Sequence, residues 1–285
     1  MKATIHQPGE TAGSCKLIAL LGGSLRGEVW SAFTSDGRLV AVKFFSSAAE
    51  AKAEYKSAAA FTHPHLLHPL SLETETPNPF IILPYCKGRS IDNTANFFPE
   101  ETAWRLMNEL SSALASLHAA GIYHGDVNPS NILWDGGHFI LSDFGSSAPF
   151  GEEPRAMDES SYPFAAPEQR RSGASDIWSL GASIFFLIMG NPVFNGMGGK
   201  AQEAASSLPF MRKTMPELSQ VISRCLAFLP ADRPSAEELA ELSTQWMDNG
   251  KRTDNKRPVA SRIKETSSSE ETGYWPDEMK DMHSS

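Results

Sequence analysis

Cysteine is scarce in this chain: Cys15, Cys86 and Cys225 are the only thiols in 285 residues. An odd, unpatterned set of that size excludes a disulfide framework and predicts reduced thiols in a cytoplasmic setting. Basic charge is also in deficit, with 25 Lys and Arg against 34 Asp and Glu and a formal net charge of −9. A face that binds nucleic acid usually carries a basic excess, so no nucleic-acid partner is expected. One phosphate-binding pocket remains compatible with that total. Long hydrophobic runs are missing as well. The most apolar stretch, Ala182 to Met189, is far shorter than the ~20 residues that a bilayer-spanning helix needs. No membrane association is therefore expected. Met1 and Lys2 lead into Thr4, His6, Gln7 and Glu10, polar positions where a secretory leader would be apolar.

The apolar content is nevertheless ample for a core, at 41% of residues, and suits one large domain or two small lobes. Residues 1–13 read as an unanchored N-terminal arm. The next stretch has a period of two. Leu17 to Leu21, Val29 to Phe33 and Leu39 to Phe45 read as strands, with Gly22, Gly23 and Gly27 in the first turn and Asp36-Gly37 in the second. Ser46 and Ser47 are candidate caps for an alanine-rich helix over 48–61. From Pro99 the period becomes 3.6. Ala103, Leu106, Met107, Leu110, Ala113, Leu114 and Leu117 share one face, with Pro99 in the first turn and Gly121 past the end. Further helices are predicted over 175–189, 216–227 and 235–248. A strand-rich first third before a helical remainder predicts an α+β chain in two lobes with a cleft between them. The smaller lobe, an antiparallel sheet, is expected over about 14–84 and the larger, helical one over about 87–248. Residues 249–285, with Thr266 to Glu271, Tyr274 and Trp275, are too polar to order alone and read as a disordered tail.

Within that frame a few side chains have the spacing that phosphoryl transfer requires. In His124-Gly-Asp-Val-Asn-Pro-Ser-Asn131, Asp126 precedes Asn131 by five residues, and Asp143 stands beside Phe144 and Gly145. A carboxylate to accept a hydroxyl proton, with an amide and a second carboxylate to hold Mg2+ against ATP, are the groups that this chemistry uses. The turn Gly22-Gly23-Ser24-Leu25-Arg26-Gly27 lets backbone amides approach phosphate oxygens. In Val40-Ala41-Val42-Lys43, Ala41 and Lys43 face the same way, under that turn. A lysine on a buried face needs an anion. Glu54 is its expected partner, while Glu50, four residues earlier, reads as surface charge. Between the two parts, the Pro84 carbonyl and the Cys86 amide can meet an adenine edge; Pro84 lacks an N–H but keeps its acceptor.

Seven ordered motifs make the chain resemble a eukaryotic-type serine/threonine protein kinase from Leu21 to about Leu239. They are the glycine turn, Val-Ala-Val-Lys43, His124-Gly-Asp126 with Asn131, Asp143-Phe-Gly145, Ala166-Pro-Glu168, Asp176-Ile-Trp-Ser-Leu-Gly181 and Asp232-Arg-Pro234. The resemblance implies a kinase domain over 14–248 that takes ATP, Mg2+ and a protein substrate. It implies that Gly22, Gly23, Gly27, Val29, Ala41, Pro84 and Cys86 line the nucleotide. Lys43, paired with Glu54, would contact the α- and β-phosphates. Asp126 would be the catalytic base, and Asn131 and Asp143 would ligate magnesium. Glu168 would pair with Arg233, and Asp176 would brace the catalytic loop. A rival resemblance, to aminoglycoside and choline kinases, rests on His-Gly-Asp with its asparagine. Those enzymes generally lack the segments around Glu168, Asp176 and Arg233.

The chain departs from the family at three places. Gly125 replaces an arginine that grips an activation-loop phosphate, which implies that loop phosphorylation matters less here. Asn128 replaces the catalytic-loop lysine and keeps only a neutral donor, with Arg26 a candidate substitute cation. Ser24 replaces the second loop glycine. These losses keep open a pseudokinase that binds nucleotide or a partner without turnover, while Lys43, Asp126, Asn131 and Asp143 together argue for an enzyme. Ser161 falls where the family places a hydroxyl next to the catalytic aspartate, implying serine or threonine as acceptor, and Ser160 is a candidate autophosphorylation site. His63, His65 and His68 read as a turn rather than a metal site, because no cysteine or carboxylate completes the set.

Overall fold

The computed structural model describes residues 6–24, 27–88, 90–92, 98–152, 159–168, 170–201 and 213–254. Leu25, Arg26 and the tail from 255 lie outside the described residues, as do the side chains of Ser24, Ser160 and Ser161.

The first lobe is a six-stranded antiparallel sheet of β1 (Thr11–Ala12), β2 (Cys15–Ser24), β3 (Gly27–Phe33), β4 (Leu39–Phe44), β5 (Ser71–Glu73) and β6 (Phe80–Pro84). Their order across the sheet is β1-β2-β3-β4-β6-β5. The period-two pattern of β4 sorts its side chains onto two faces. Val40, Val42 and Phe44 enter a core with Leu17, Trp30, Ala32 and Phe80. Ala41 and Lys43 point the other way. There α1 (Ala48–Ala59), capped by the Ser47 side chain on the Glu50 N–H, packs its Ala51 and Tyr55 with Phe45 and Ile81. Helix α1 ends two residues before the predicted 61, and Ser47 alone makes the cap bond.

Two expectations for this lobe need correction. The arm is anchored from His6 onward: Thr11 and Ala12 pair with Lys16 and Cys15, and the His6 ring lies on Phe44. Gly22 and Gly23 are strand residues, paired with Val29 and Glu28, because the pairing of β2 with β3, after register shifts at Leu17/Ala19 and Leu20/Gly22, continues as far as Ser24 opposite Gly27.

The second lobe is helical: α2 (Glu100–Ala119), α3 (Gly173–Met189), α4 (Pro216–Cys225) and α5 (Ala236–Asp254). The seven-residue apolar face of α2 is fully buried. Pro99 sits at its N-cap, one position ahead of the first turn, and Gly121 follows its end with φ 72°. Helix α3 is apolar on nearly every side and passes through the core. It begins two residues earlier than predicted because Ser172 and Ser175 form a reciprocal capping box. Helix α5 packs along α2, with Trp246 stacked on Trp104 at 5.2 Å. It continues to Asp254, past position 249 where the tail was expected to begin. Two short antiparallel pairs, β7 (Ile122–Tyr123) with β10 (Ala148–Pro149) and β8 (Ile132–Trp134) with β9 (Phe139–Leu141), carry the loops facing the first lobe.

Candidate active site

The strand register assembles one wall of the crevice. Val29 lies opposite Lys43, and Lys43 opposite Ile81, while Ala41 lies opposite Leu83. Val29, Ala41 and Lys43 therefore share a face, and Gly22, opposite Val29, completes it. At the end of this wall Pro84 closes β6 against Val40. Cys86 follows at 8% exposure, its thiol pushed up to about 11 by burial and then by the Asp135 charge.

Lys43 joins the two lobes electrostatically. Its ammonium lies 2.7 Å from Glu54 Oε1 and 2.9 Å from Asp143 Oδ1. Burial pulls the lysine pKa down, but the Asp143 and Glu54 carboxylates outweigh it and hold the group above its ordinary range. Burial pushes Asp143 up, but the Lys43 ammonium overrides it, so that carboxyl lies below the usual range. Asp143 has φ 64°, and its Oδ1 also accepts the Gly145 N–H at 3.1 Å. Glu54 is thus on the crevice side, as its spacing predicted. Glu50 is exposed and holds only the Ser46 hydroxyl, as a surface charge should.

Asp126 is fixed by its own loop. The Asn128 amide nitrogen donates to its Oδ1 at 2.9 Å and the Asn131 amide nitrogen to its Oδ2 at 3.0 Å. The Asn128 Oδ1 in turn accepts the Ser130 N–H at 3.0 Å, capping the short 3-10 turn Pro129–Asn131. Asn128 is only 5% exposed. It was expected to offer a neutral donor where the family has a lysine; instead that donor is turned inward onto Asp126. Pairing of β8 with β9 then carries Asn131 to Asp143: Ser142 N–H donates to the Asn131 carbonyl at 2.9 Å.

The loop is braced from below by helix α3. Asp176, 1% exposed, accepts the His124 N–H on Oδ2 and the Gly125 N–H on Oδ1, both at 2.8 Å. His118, which no sequence pattern singles out, adds a bond to Oδ2 at 2.9 Å. His124 is completely buried and neutral. Its Nδ1 accepts the Asp126 N–H at 3.3 Å and its Nε2 donates to the Ser142 carbonyl at 3.1 Å. Burial lowers its pKa against the opposing pull of Asp176, Asp126 and Asp143. Gly125 has φ 78°, and a Cβ there would stand 2.7 Å from the Ser146 carbonyl oxygen and 2.9 Å from Arg171 Cδ. Deeper in the lobe Arg233 makes two 2.7 Å bonds to the Glu168 carboxylate and lies over Trp178.

One expectation about the histidines also changes. Folding gives His65 a carboxylate neighbour, Glu109, at 3.7 Å, with His138 on the same carboxylate at 3.2 Å. The set is satisfied without an ion, since Glu109 also accepts the Phe139 N–H at 2.7 Å and Arg105 Nε at 2.8 Å. His65 Nδ1 itself bonds the Phe139 carbonyl at 3.0 Å.

A strand wall carrying a lysine, a helix carrying its glutamate and a loop pair carrying two aspartates and an asparagine define a protein kinase site. Residues 16–247 match the protein kinase domain family, and the chain belongs to it. It is 28% identical over 222 residues to a calcium and calcium/calmodulin-dependent serine/threonine-protein kinase of Pisum sativum, covering 70% of this chain and 42% of that protein. It is 29% identical over 260 residues to the cytokinesis protein sepH of Aspergillus terreus, covering 85% and 19%. With the serine/threonine-protein kinase ULK3 of Homo sapiens it shares 32% over 147 residues, covering 46% and 30%. The chain thus spans less than half the length of these relatives.

Proposed function

We propose that the protein transfers the γ-phosphoryl group of ATP to a serine or threonine hydroxyl of a protein substrate. The observation that carries this is the double ion pair of Lys43 with Glu54 and Asp143, formed beside an Asp126 whose two oxygens are already oriented. Asp126 would accept the hydroxyl proton, and its two amide bonds aim it. Lys43 would bind the α- and β-phosphates, with Glu54 holding the ammonium in place. Gly22, Gly23 and Gly27 would let the strand ends approach the phosphates, while Val29 and Ala41 cover the base and the Pro84–Cys86 segment meets its edge.

The residues present fit a hard divalent cation. Asp143 offers a carboxylate held ionised, and Asn131, with its nitrogen turned to Asp126, offers the opposite amide oxygen. Asp143 and Asn131 would hold Mg2+, which supplies charge neutralisation on the phosphate oxygens. With Asn128 turned onto Asp126, the loop lacks the cation that would sit near the transferred group. Turnover is therefore expected about a hundredfold below the ~1–100 s−1 usual for kinases. The setting we infer is cytoplasmic, in keeping with three buried, unpaired thiols. Among the described residues no helix is long and apolar enough to cross a membrane.

The test is incubation with labelled ATP and Mg2+, alone, with a generic basic protein and with small aminoalcohols, using Asp126→Asn as control. Label on protein that is absent with Asp126→Asn supports the proposal. Label on an aminoalcohol would move the protein to the small-molecule kinases. Binding of ATP with no transfer would make it a pseudokinase.

A further inference from the structure

His6 lies well ahead of the crevice-forming strands in sequence, yet it is 9% exposed. Its ring stacks on Phe44 with centroids 3.8 Å apart and planes 14° from parallel. Its Nδ1 lies 2.9 Å from Glu28 Oε2, and its backbone N–H reaches the same oxygen at 3.3 Å. Trp30 Nε1 donates to that oxygen as well, at 3.0 Å. The chain after His6 is stitched down: Gly9 N–H donates to the Leu17 carbonyl and Leu17 N–H to the Glu10 carbonyl, both at 2.8 Å.

The two residues that His6 holds are each one step from the nucleotide wall. Glu28 follows Gly27 directly, and Phe44 follows Lys43. They also meet where the sheet is tightest. A Cβ on Gly27, which has φ 149°, would fall 1.9 Å from the Phe44 carbonyl oxygen. The descending strand of the glycine hairpin therefore lies directly on the backbone of the lysine strand, and His6 is bonded to one and stacked on the other.

We propose that His6 is a positioning residue for ATP: residues 6–12 form a strap that sets the height of the glycine hairpin over the phosphates, with the His6–Glu28 bond and the His6–Phe44 stack as its buckle. This rests on the kinase reading above. Truncating the His6 side chain takes the imidazole donor from Glu28 Oε2, leaving the backbone N–H and Trp30 Nε1, and uncovers the ring of Phe44. The hairpin then samples more conformations, and nucleotide binding must first order it. Because Asp126 belongs to the other lobe, the chemical step should be nearly spared.

The experiment measures ATP KM and kcat, ADP affinity by calorimetry and the melting temperature for the full chain and for His6→Ala, His6→Gln, Glu28→Ala and the double variant. His6→Ala should raise KM and the ADP dissociation constant about fivefold to tenfold, with kcat changed less than twofold. His6→Gln, which restores a donor but not the stack, should recover part of the affinity. Glu28→Ala removes the same bond from the other side, and the double variant should bind no worse than the poorer single one. A merely structural role would lower the melting temperature and leave ADP affinity unchanged well below it. A lowered melting temperature with unchanged affinity in both single variants overturns the proposal while leaving the kinase reading intact. A wild-type chain that binds neither ATP nor ADP would bring down both.

Discussion

Putting arginine at position 125, the residue usual in the family, should damage this protein rather than improve it. Gly125 has φ 78°, and an ideal Cβ there lies 2.7 Å from the Ser146 carbonyl oxygen, 2.9 Å from Arg171 Cδ and 3.0 Å from Tyr123 Cε2. Two of these neighbours cannot swing aside: one is backbone, and Tyr123 is completely buried. Arg171, 4% exposed, fills the space that a longer side chain would need. Holding a non-glycine residue in the left-handed region disfavours the fold by ~1–2 kcal/mol, and overpacking adds ~1–3 kcal/mol. The total of roughly 2–5 kcal/mol falls next to Asp126, and for a domain of this size lowers the melting temperature by about 5–15 °C. A shift of Asp126 by an ångström would slow turnover by about 10²-fold. The assay is kcat at saturating ATP, with the melting curve alongside, for Gly125→Arg, Gly125→Ala and Gly125→Ala combined with Arg171→Ala. Alanine should cause much of the loss, since the clash begins at Cβ. The double variant should show less than the sum of its single effects, because one of the three collisions is gone. Wild-type turnover and melting in Gly125→Arg would refute the reasoning.

Acid should destabilise the fold from about pH 6.5 downward. His124 is held neutral in the folded protein below its ordinary 6.5, whereas the unfolded chain takes up that proton, so its contribution is present above 6.5 and lost as pH falls. His63, lowered by burial and by His65, adds to it with the same sign. Melting curves between pH 7.5 and 5 should show a shallower slope in His124→Asn; an unchanged slope would assign the effect elsewhere. Glu168→Ala leaves the fully buried Arg233 guanidinium without its carboxylate, so urea unfolding should report a loss of about 3 kcal/mol. Cys86 and Cys225, raised by burial to about 11 and about 12, should resist iodoacetamide in the native protein at pH 7.5 and react only after unfolding. Rapid native labelling of Cys86 would mean that the connecting segment opens more than its burial suggests.

Much of the site could be read from local spacing. The Lys43–Glu54 pair follows from a period-two strand and the helix after it, only eleven residues apart. The Lys43–Asp143 contact spans the two lobes, and no local pattern encodes it; only the resemblance brought these residues to one crevice. The sequence marked Asn131 as a candidate magnesium ligand, but its hold on Asp126 depends on which end of the amide faces inward. The same holds for Asn128, whose inward turn emerges only from the folded loop. His6 escaped notice because a single polar residue before a glycine and a proline looks like free chain. The hint was the turn at Gly13-Ser14 between β1 and β2, a hairpin signal that ties the preceding residues to the sheet.

Asp176 belongs to the most deeply embedded helix, yet both its oxygens point at the amides just before Asp126. Asp126 is thus held from two directions, by the amides of its own largely buried loop and by a helix of the domain's bedrock. Gentle warming should leave turnover coherent until the whole helical body melts cooperatively, with no gradual fading beforehand. Inactivation and loss of helical circular dichroism should then trace one curve.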